Sequence, residues 1–198
     1  VVMAAAVVMR LQTIVSREVA GSQTAVVTVG CIQAGTKANI IPDSASILVN
    51  VRSYDPAVRT QILAAIERIV RAEASASAGP REPDFEKYES APTAVNDPAA
   101  CQATQTALAS VGPVVDPGPV TGSEDVGVLA TAADAPLVYW LLGGADPALF
   151  ADATSIDEIA AVVAGLPSNH SPLYAPIPQP TLDNGVKALV AAARAWLA

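Results

Sequence analysis

The chain has 198 residues and a formal charge of −8, and its apolar content of 52% is carried by Ala and Val rather than by aromatics, which make up 4%. High hydrophobicity with low charge excludes disorder as the overall state, and the acidic excess argues against a partner that is a nucleic-acid backbone. One histidine rules out a site of several imidazoles, and two cysteines at unrelated spacing give neither a disulfide framework nor a zinc knuckle.

The first helix is predicted over Val1 to Arg17, with Val7, Val8, Leu11, Ile14 and Val15 at helical spacing. Its apolar run is too short to cross a bilayer, where about 18 residues are needed. No basic region or cleavage signal accompanies it, so the chain reads as soluble and cytoplasmic, with no membrane partner. An opening in mid-helix without Met suggests a fragment. Ala25 to Ala34 and Ser44 to Tyr54 are β-branched and read as strands joined through the turn Ile40-Ile41-Pro42-Asp43. In the second strand Ile47, Val49 and Val51 share one face, and Leu48, Asn50 and Arg52 the other. Asp55-Pro56 caps a helix with the stripe Val58, Ile62, Ile66, Ile69 and Val70. Asp84 to Ser90 is a candidate third strand. Helix, strand, strand, helix, strand is a split β-α-β layer that lacks its first strand.

A boundary is expected near Pro92 to Asp97. Asp97-Pro98 caps a further helix running to about Val111, and Gly122-Ser123-Glu124-Asp125 opens a short helix to about Ala133. Pro136 to Gly143 reads as a buried strand. Ser155 and Glu158 have capping-box spacing before a helix that ends at Gly165. Thr181 caps the last helix, whose expected buried face is Leu182, Val186, Leu189, Val190, Ala193 and Leu197.

Few residues carry chemistry. Arg52 is either a surface cation paired across the sheet or a planar fork for a substrate carboxylate, with Asn39 adding an amide donor. Gly122 to Asp125 is either a plain helix start or an anion-binding one. His170, in a loop between two helices, is either a solvated loop residue or a metal ligand. Cys31 reads as packing, Cys101 has no evident dyad partner, and Trp140 and Trp196 read as core.

Four segments, LQTIVSRE (11–18), AVVTVGCIQAGTKANIIPDSASILVNVRSYD (25–55), GSED (122–125) and NHSP (169–172), resemble the M20 metallopeptidase family. Within it the chain is most similar to amidohydrolases that cleave N-acyl amino acids, such as hippurate and indoleacetyl-amino-acid hydrolases. The resemblance implies an α+β, ferredoxin-like lid (dimerisation) domain over residues 1–91, lacking its first strand. Residues 92–198 would then be the C-terminal part of an α/β catalytic domain. It implies that Asn39 and Arg52 bind the substrate carboxylate, that Gly122 and Ser123 line the pocket, and that His170 is the last metal ligand. It further implies a divalent metal pair (Zn, Mn or Co) in the intact enzyme, not stably bound by this chain, and a homodimer formed through the lid. The substrate would be a small N-acyl amino acid.

Departures qualify this. The family's other metal ligands, its general base and its lid histidine find no counterpart here, so the resemblance leaves no catalytic residue in this chain. Val126 replaces the usual aromatic after GSED, and Ala148 to Gly165 departs from the common pattern. The chain alone is expected to be inactive. The competing expectation is a non-catalytic oligomerisation or binding module of the same fold.

Overall fold

The computed structural model describes residues 1–120, 122 and 124–197, without the side chain of Ile156. The chain divides into two compact units, Val1–Ser90 and Ala91–Ala198.

In the first unit the opening helix is broken once, into α1 (Val2–Leu11) and α2 (Thr13–Arg17) around Gln12. Side chains bridge the break: Thr13 Oγ1 donates to the Arg10 carbonyl at 2.8 Å and Gln12 Nε2 to the Val8 carbonyl at 3.1 Å. Strands β1 (Ala25–Gln33) and β2 (Ser46–Ser53) form an antiparallel ribbon. The alternation in β2 is as read: Ile47, Val49 and Val51 turn inward, Leu48, Asn50 and Arg52 outward. A register shift between Val29 and Cys31 leaves Gly30 as an inserted residue, a bulge that adds local twist. Asp55 Oδ1 accepts from the Ala57 N–H at 2.7 Å and Pro56 opens α3 (Pro56–Ala76), so the Asp-Pro signal works as read. Val7, Leu11 and Ile14 meet Val58, Ile62, Ala65 and Ile69 over the inner face of the ribbon. Ile14 and Ile62 are completely buried. The carboxylate of Glu18 takes Arg68 Nη2 on both oxygens, at 2.6 and 2.7 Å, and its carbonyl accepts from Gln61 Nε2, which ties the end of α2 to α3.

The expected strand at 84–90 does not form. In a split β-α-β layer that strand neighbours the first strand, not β2. The described residues contain no such partner, so 84–90 makes no ladder. Side chains hold the stretch instead: Arg71 lies 5.2 Å over the Phe85 ring and pairs with Glu82 at 2.8 Å.

In the second unit Asp97 Oδ1 accepts from the Ala100 N–H at 2.8 Å and caps α4 (Pro98–Leu108). α5 (Val126–Ala133) follows, then a 3₁₀ turn (Pro147–Phe150), α6 (Ile156–Ala164) and α7 (Pro178–Leu197). The Ser155 box is complete. Glu158 accepts from the Thr154 N–H at 2.6 Å, its hydroxyl at 2.9 Å and the Ser155 N–H at 3.0 Å, bonds that hold its carboxyl below the usual range.

Three expectations fail in this unit. Residues 136–143 form no strand and pair with none among the described residues. Their backbone is bonded instead to Asn96 and Asp97. The last helix turns differently from its apolar pattern. Ala188 and Ala192 are buried with Leu108 and packed by Trp140, whereas Leu182, Val186 and Leu189 are each 62% exposed. The small Ala stripe lets α7 approach α4 closely. Trp196 Nε1 donates to the buried Thr104 Oγ1 at 2.9 Å, which fixes the rotation. Thr181 is not its cap: the non-helical residue is Gln179, whose amide reaches Asp183 at 3.4 Å. No helix among the described residues is long and apolar enough to cross a membrane.

Candidate functional site

The first unit presents Arg52 on the solvent face of the ribbon. β2 exposes every second residue, and this brings Asn50 and Arg52 to the same side, opposite Thr28 and Val26 of β1. Asn50 Oδ1 accepts from Arg52 Nε at 3.1 Å, which steadies the guanidinium. Asn50 was not among the expected site residues, yet the period of two that singled out Arg52 puts Asn50 beside it.

Asn39 is exposed in the loop between the strands, where the Ile40 N–H donates to the Lys37 carbonyl at 3.4 Å. That loop leaves the ribbon at the Gln33/Ser46 pair, whereas Arg52 lies opposite Val26 near the other end. Arg52 is six residue steps along the strand from Ser46, about 20 Å at the usual rise. The base of the loop is fixed there. Gly35 has φ +69° and packs on Pro42, and the Asp43 carbonyl accepts from Arg81, just beyond the C-terminal end of α3. α3 itself begins at Pro56, four residues after Arg52. At the loop tip Ile41 is 91% exposed.

In the second unit Gly122 is exposed, with open space around its Cα; Ser123 lies outside the described residues. α5 starts at Val126, with Asp125 in the N-cap position and no side-chain cap bond. Glu124, chiefly as a hydrogen-bond acceptor, raises Tyr139 above the usual phenol value, with burial and the negative charge adding to it. No sequence signal marks this pair. His170 is exposed in the turn after α6, in which the Ser171 N–H donates to the Ser168 carbonyl at 2.8 Å. Arg52 and Asn39 thus belong to one unit, Gly122 and His170 to the other.

A metal site needs several fixed donors converging on one point. Among the described residues no group of three or more His, Cys, Asp or Glu side chains could hold an ion, so this set does not fit a metal pair. An exposed imidazole alone does not meet the requirement.

Comparison with known proteins gives these residues a setting. Residues 2–78 match the M20 peptidase dimerisation domain. The chain is 32% identical over 130 residues, 66% of its length, to thermostable carboxypeptidase 1 of Saccharolobus solfataricus. It is 33% identical over 123 residues, 62% of its length, to the N-acetyl-L-cysteine deacetylase of Bacillus subtilis. These alignments cover 32% and 29% of the relatives, so the chain spans about a third of their length. The solved YXEP protein of Bacillus subtilis, described as a dinuclear metal binding peptidase, superposes on all of this chain and 45% of its own, with TM-score 0.67 and 18% identity. The mixed α/β fold is therefore shared along the whole chain, and residues 2–78 belong to the M20 peptidase dimerisation-domain family.

Proposed function

We propose that this chain is the lid and C-terminal portion of an M20 enzyme that hydrolyses the amide bond of N-acylated amino acids. The observation that carries the reading is Arg52, exposed on the ribbon beside Asn50, inside the segment that matches the dimerisation domain. A deacetylase of an acetylated amino acid among the relatives supports the substrate class.

Amide hydrolysis needs an activated water, a proton acceptor and positive charge at the developing oxyanion. The described residues assemble none of these in one place, so the part of this chain is to bind and orient. The guanidinium of Arg52 offers two parallel N–H donors, the geometry a carboxylate accepts. Asn39 adds an amide N–H, Gly122 and Ser123 line the pocket, and His170 contributes the one imidazole to the metal centre of the whole protein. The chain by itself is inert.

The separation of Asn39 from Arg52 bears on assembly. The base of the Asn39 loop lies about 20 Å along the ribbon from Arg52. A homodimer lets Asn39 of one copy meet Arg52 of the other at one carboxylate. The dimerisation-domain match favours that arrangement.

The test is Arg52→Ala in the whole enzyme. kcat/KM on N-acyl amino acids should fall about 30- to 1,000-fold, equivalent to about 2–4 kcal/mol, and hydrolysis of the matching N-acyl amine without a carboxylate should be spared. An equal loss on both substrates, or none, removes Arg52 from carboxylate binding. Mixing Arg52→Ala with Asn39→Ala chains should restore about a quarter of the sites if the two residues come from different copies. No recovery refutes the shared site.

A further inference from the structure

The loop between β1 and β2 is a braced base that carries an apolar tip. Gly35 has φ +69°, and a Cβ there would meet the Pro42 ring at 3.2 Å, so the two arms of the loop touch. The Asp43 carbonyl accepts from Arg81 Nη2 at 3.2 Å, which fastens one arm to the chain just beyond α3. Pro42 fixes its own φ and holds Ile41 before it to extended backbone. On this base Ile40 and Ile41 are 62% and 91% exposed, and neither belongs to the core of the unit. Loop tips ordinarily carry turn-forming polar residues. Two adjacent β-branched side chains held in water on a braced loop mark a contact surface.

The tip lies inside residues 2–78, the stretch that matches the dimerisation domain, and the same ribbon offers it a complement at the other end. Val26 stands directly across from Arg52 and is 39% exposed on the same solvent face. In a two-fold pair with the ribbons running in opposite directions, the loop of each copy comes to the Arg52 end of the other. Ile41 is two residues from Asn39, and Val26 is the cross-strand neighbour of Arg52. One pairing therefore serves both an Ile41–Val26 contact and an approach of Asn39 to Arg52. We propose that Ile40 and Ile41 are the docking tip of this domain, seated on Val26 beside Arg52 in a second copy of the chain. The proposal rests on the homodimer reading given above and names its contact; it does not depend on the reaction.

The test is sedimentation equilibrium of the purified 198-residue chain. The unmodified chain should dimerise. Ile41→Ser and Val26→Ser should each raise the dimer dissociation constant about 100-fold, because a two-fold pairing loses the apolar contact twice. Ile41→Leu, which keeps the apolar bulk, should stay within about threefold. The double variant should fall short of the product of the two single effects, since both remove one contact. Met9→Ser, at a side chain 72% exposed on α1, should leave the constant unchanged and is the control for pairing through the helices. Ile41 is in water in the monomer, so Ile41→Ser should keep the unmodified circular dichroism spectrum and urea midpoint when both chains are diluted to monomer; this separates lost docking from lost folding. A chain that stays monomeric at high micromolar concentration, an Ile41→Ser chain that dimerises as well as the unmodified one, or an equal loss from Met9→Ser overturns the proposal. Failure of the hydrolase reading would show instead as an intact enzyme that does not turn over N-acyl amino acids, with these dissociation constants unchanged.

Discussion

The two units solve the burial problem differently. In the first, the helices and the ribbon bury β-branched and Leu side chains on both sides of one core, and Ile14 and Ile62 lose all contact with solvent. In the second, the buried apolar cluster is small, Leu108 with Ala188 and Ala192, and large apolar side chains of α7 face solvent. The first unit draws its stability from volume, the second from close backbone approach and individual hydrogen bonds. The residues proposed to bind substrate follow the same division. Arg52 stands on a ribbon with a full core behind it, whereas Gly122 is exposed, with open space beside it.

The largest expected effect tests that contrast. Ile62→Ala should destabilise the first unit by about 2–5 kcal/mol, because the emptied volume lies in a core that cannot collapse freely. Leu189→Ala, on the exposed face of α7, should change stability by less than about 0.5 kcal/mol in this chain. Denaturant unfolding with amide exchange resolved by unit checks both. Similar losses at the two positions would mean that the α7 face is covered.

A smaller effect is expected at the α4–α7 contact. Trp196→Phe leaves the buried Thr104 hydroxyl without its donor and should cost about 1–2 kcal/mol, read as faster exchange in α7 alone. Retention of wild-type protection would show that Ala packing by itself sets the rotation of that helix.

The smallest is a pH effect on α6. Glu158 has a folded-state pKa below its unfolded value, because the Thr154 N–H, the Thr154 hydroxyl and the Ser155 N–H bind the carboxylate. A depressed carboxylate contributes stability that is present above its unfolded pKa and lost as pH falls through the folded one. The N-terminal turn of α6 should therefore loosen only in acid, below the ordinary carboxylate range. Glu158→Gln should lose this acid dependence. Fraying that begins near neutral pH would contradict the box as its cause.

What could be read from the sequence follows the range of the interaction. Asp55-Pro56, Asp97-Pro98 and Ser155 with Glu158 each specify a helix start within a few residues, and each is found where read. The inward face of β2 was legible because alternation is local, and it also placed Arg52 on the solvent side. Thr181 was misread locally as a cap, but the larger failures are long-range. Residues 84–90 and 136–143 have strand composition, but a ladder needs a partner, and side chains of Arg71 and Asn96 hold them instead. The face of α7 was misread because large apolar residues outweigh alanines in a periodicity count, although the alanines decide how closely α4 can approach.

The proposed function divides binding from chemistry: Arg52 is proposed to hold the substrate carboxylate, and water activation is assigned to residues outside this chain. The most direct test is hydrolysis of an N-acetyl amino acid by the purified 198-residue chain with added Zn²⁺, Mn²⁺ or Co²⁺. The expected result is no turnover above that of the metal ion in buffer. Saturable, metal-dependent turnover that disappears in His170→Ala would contradict it.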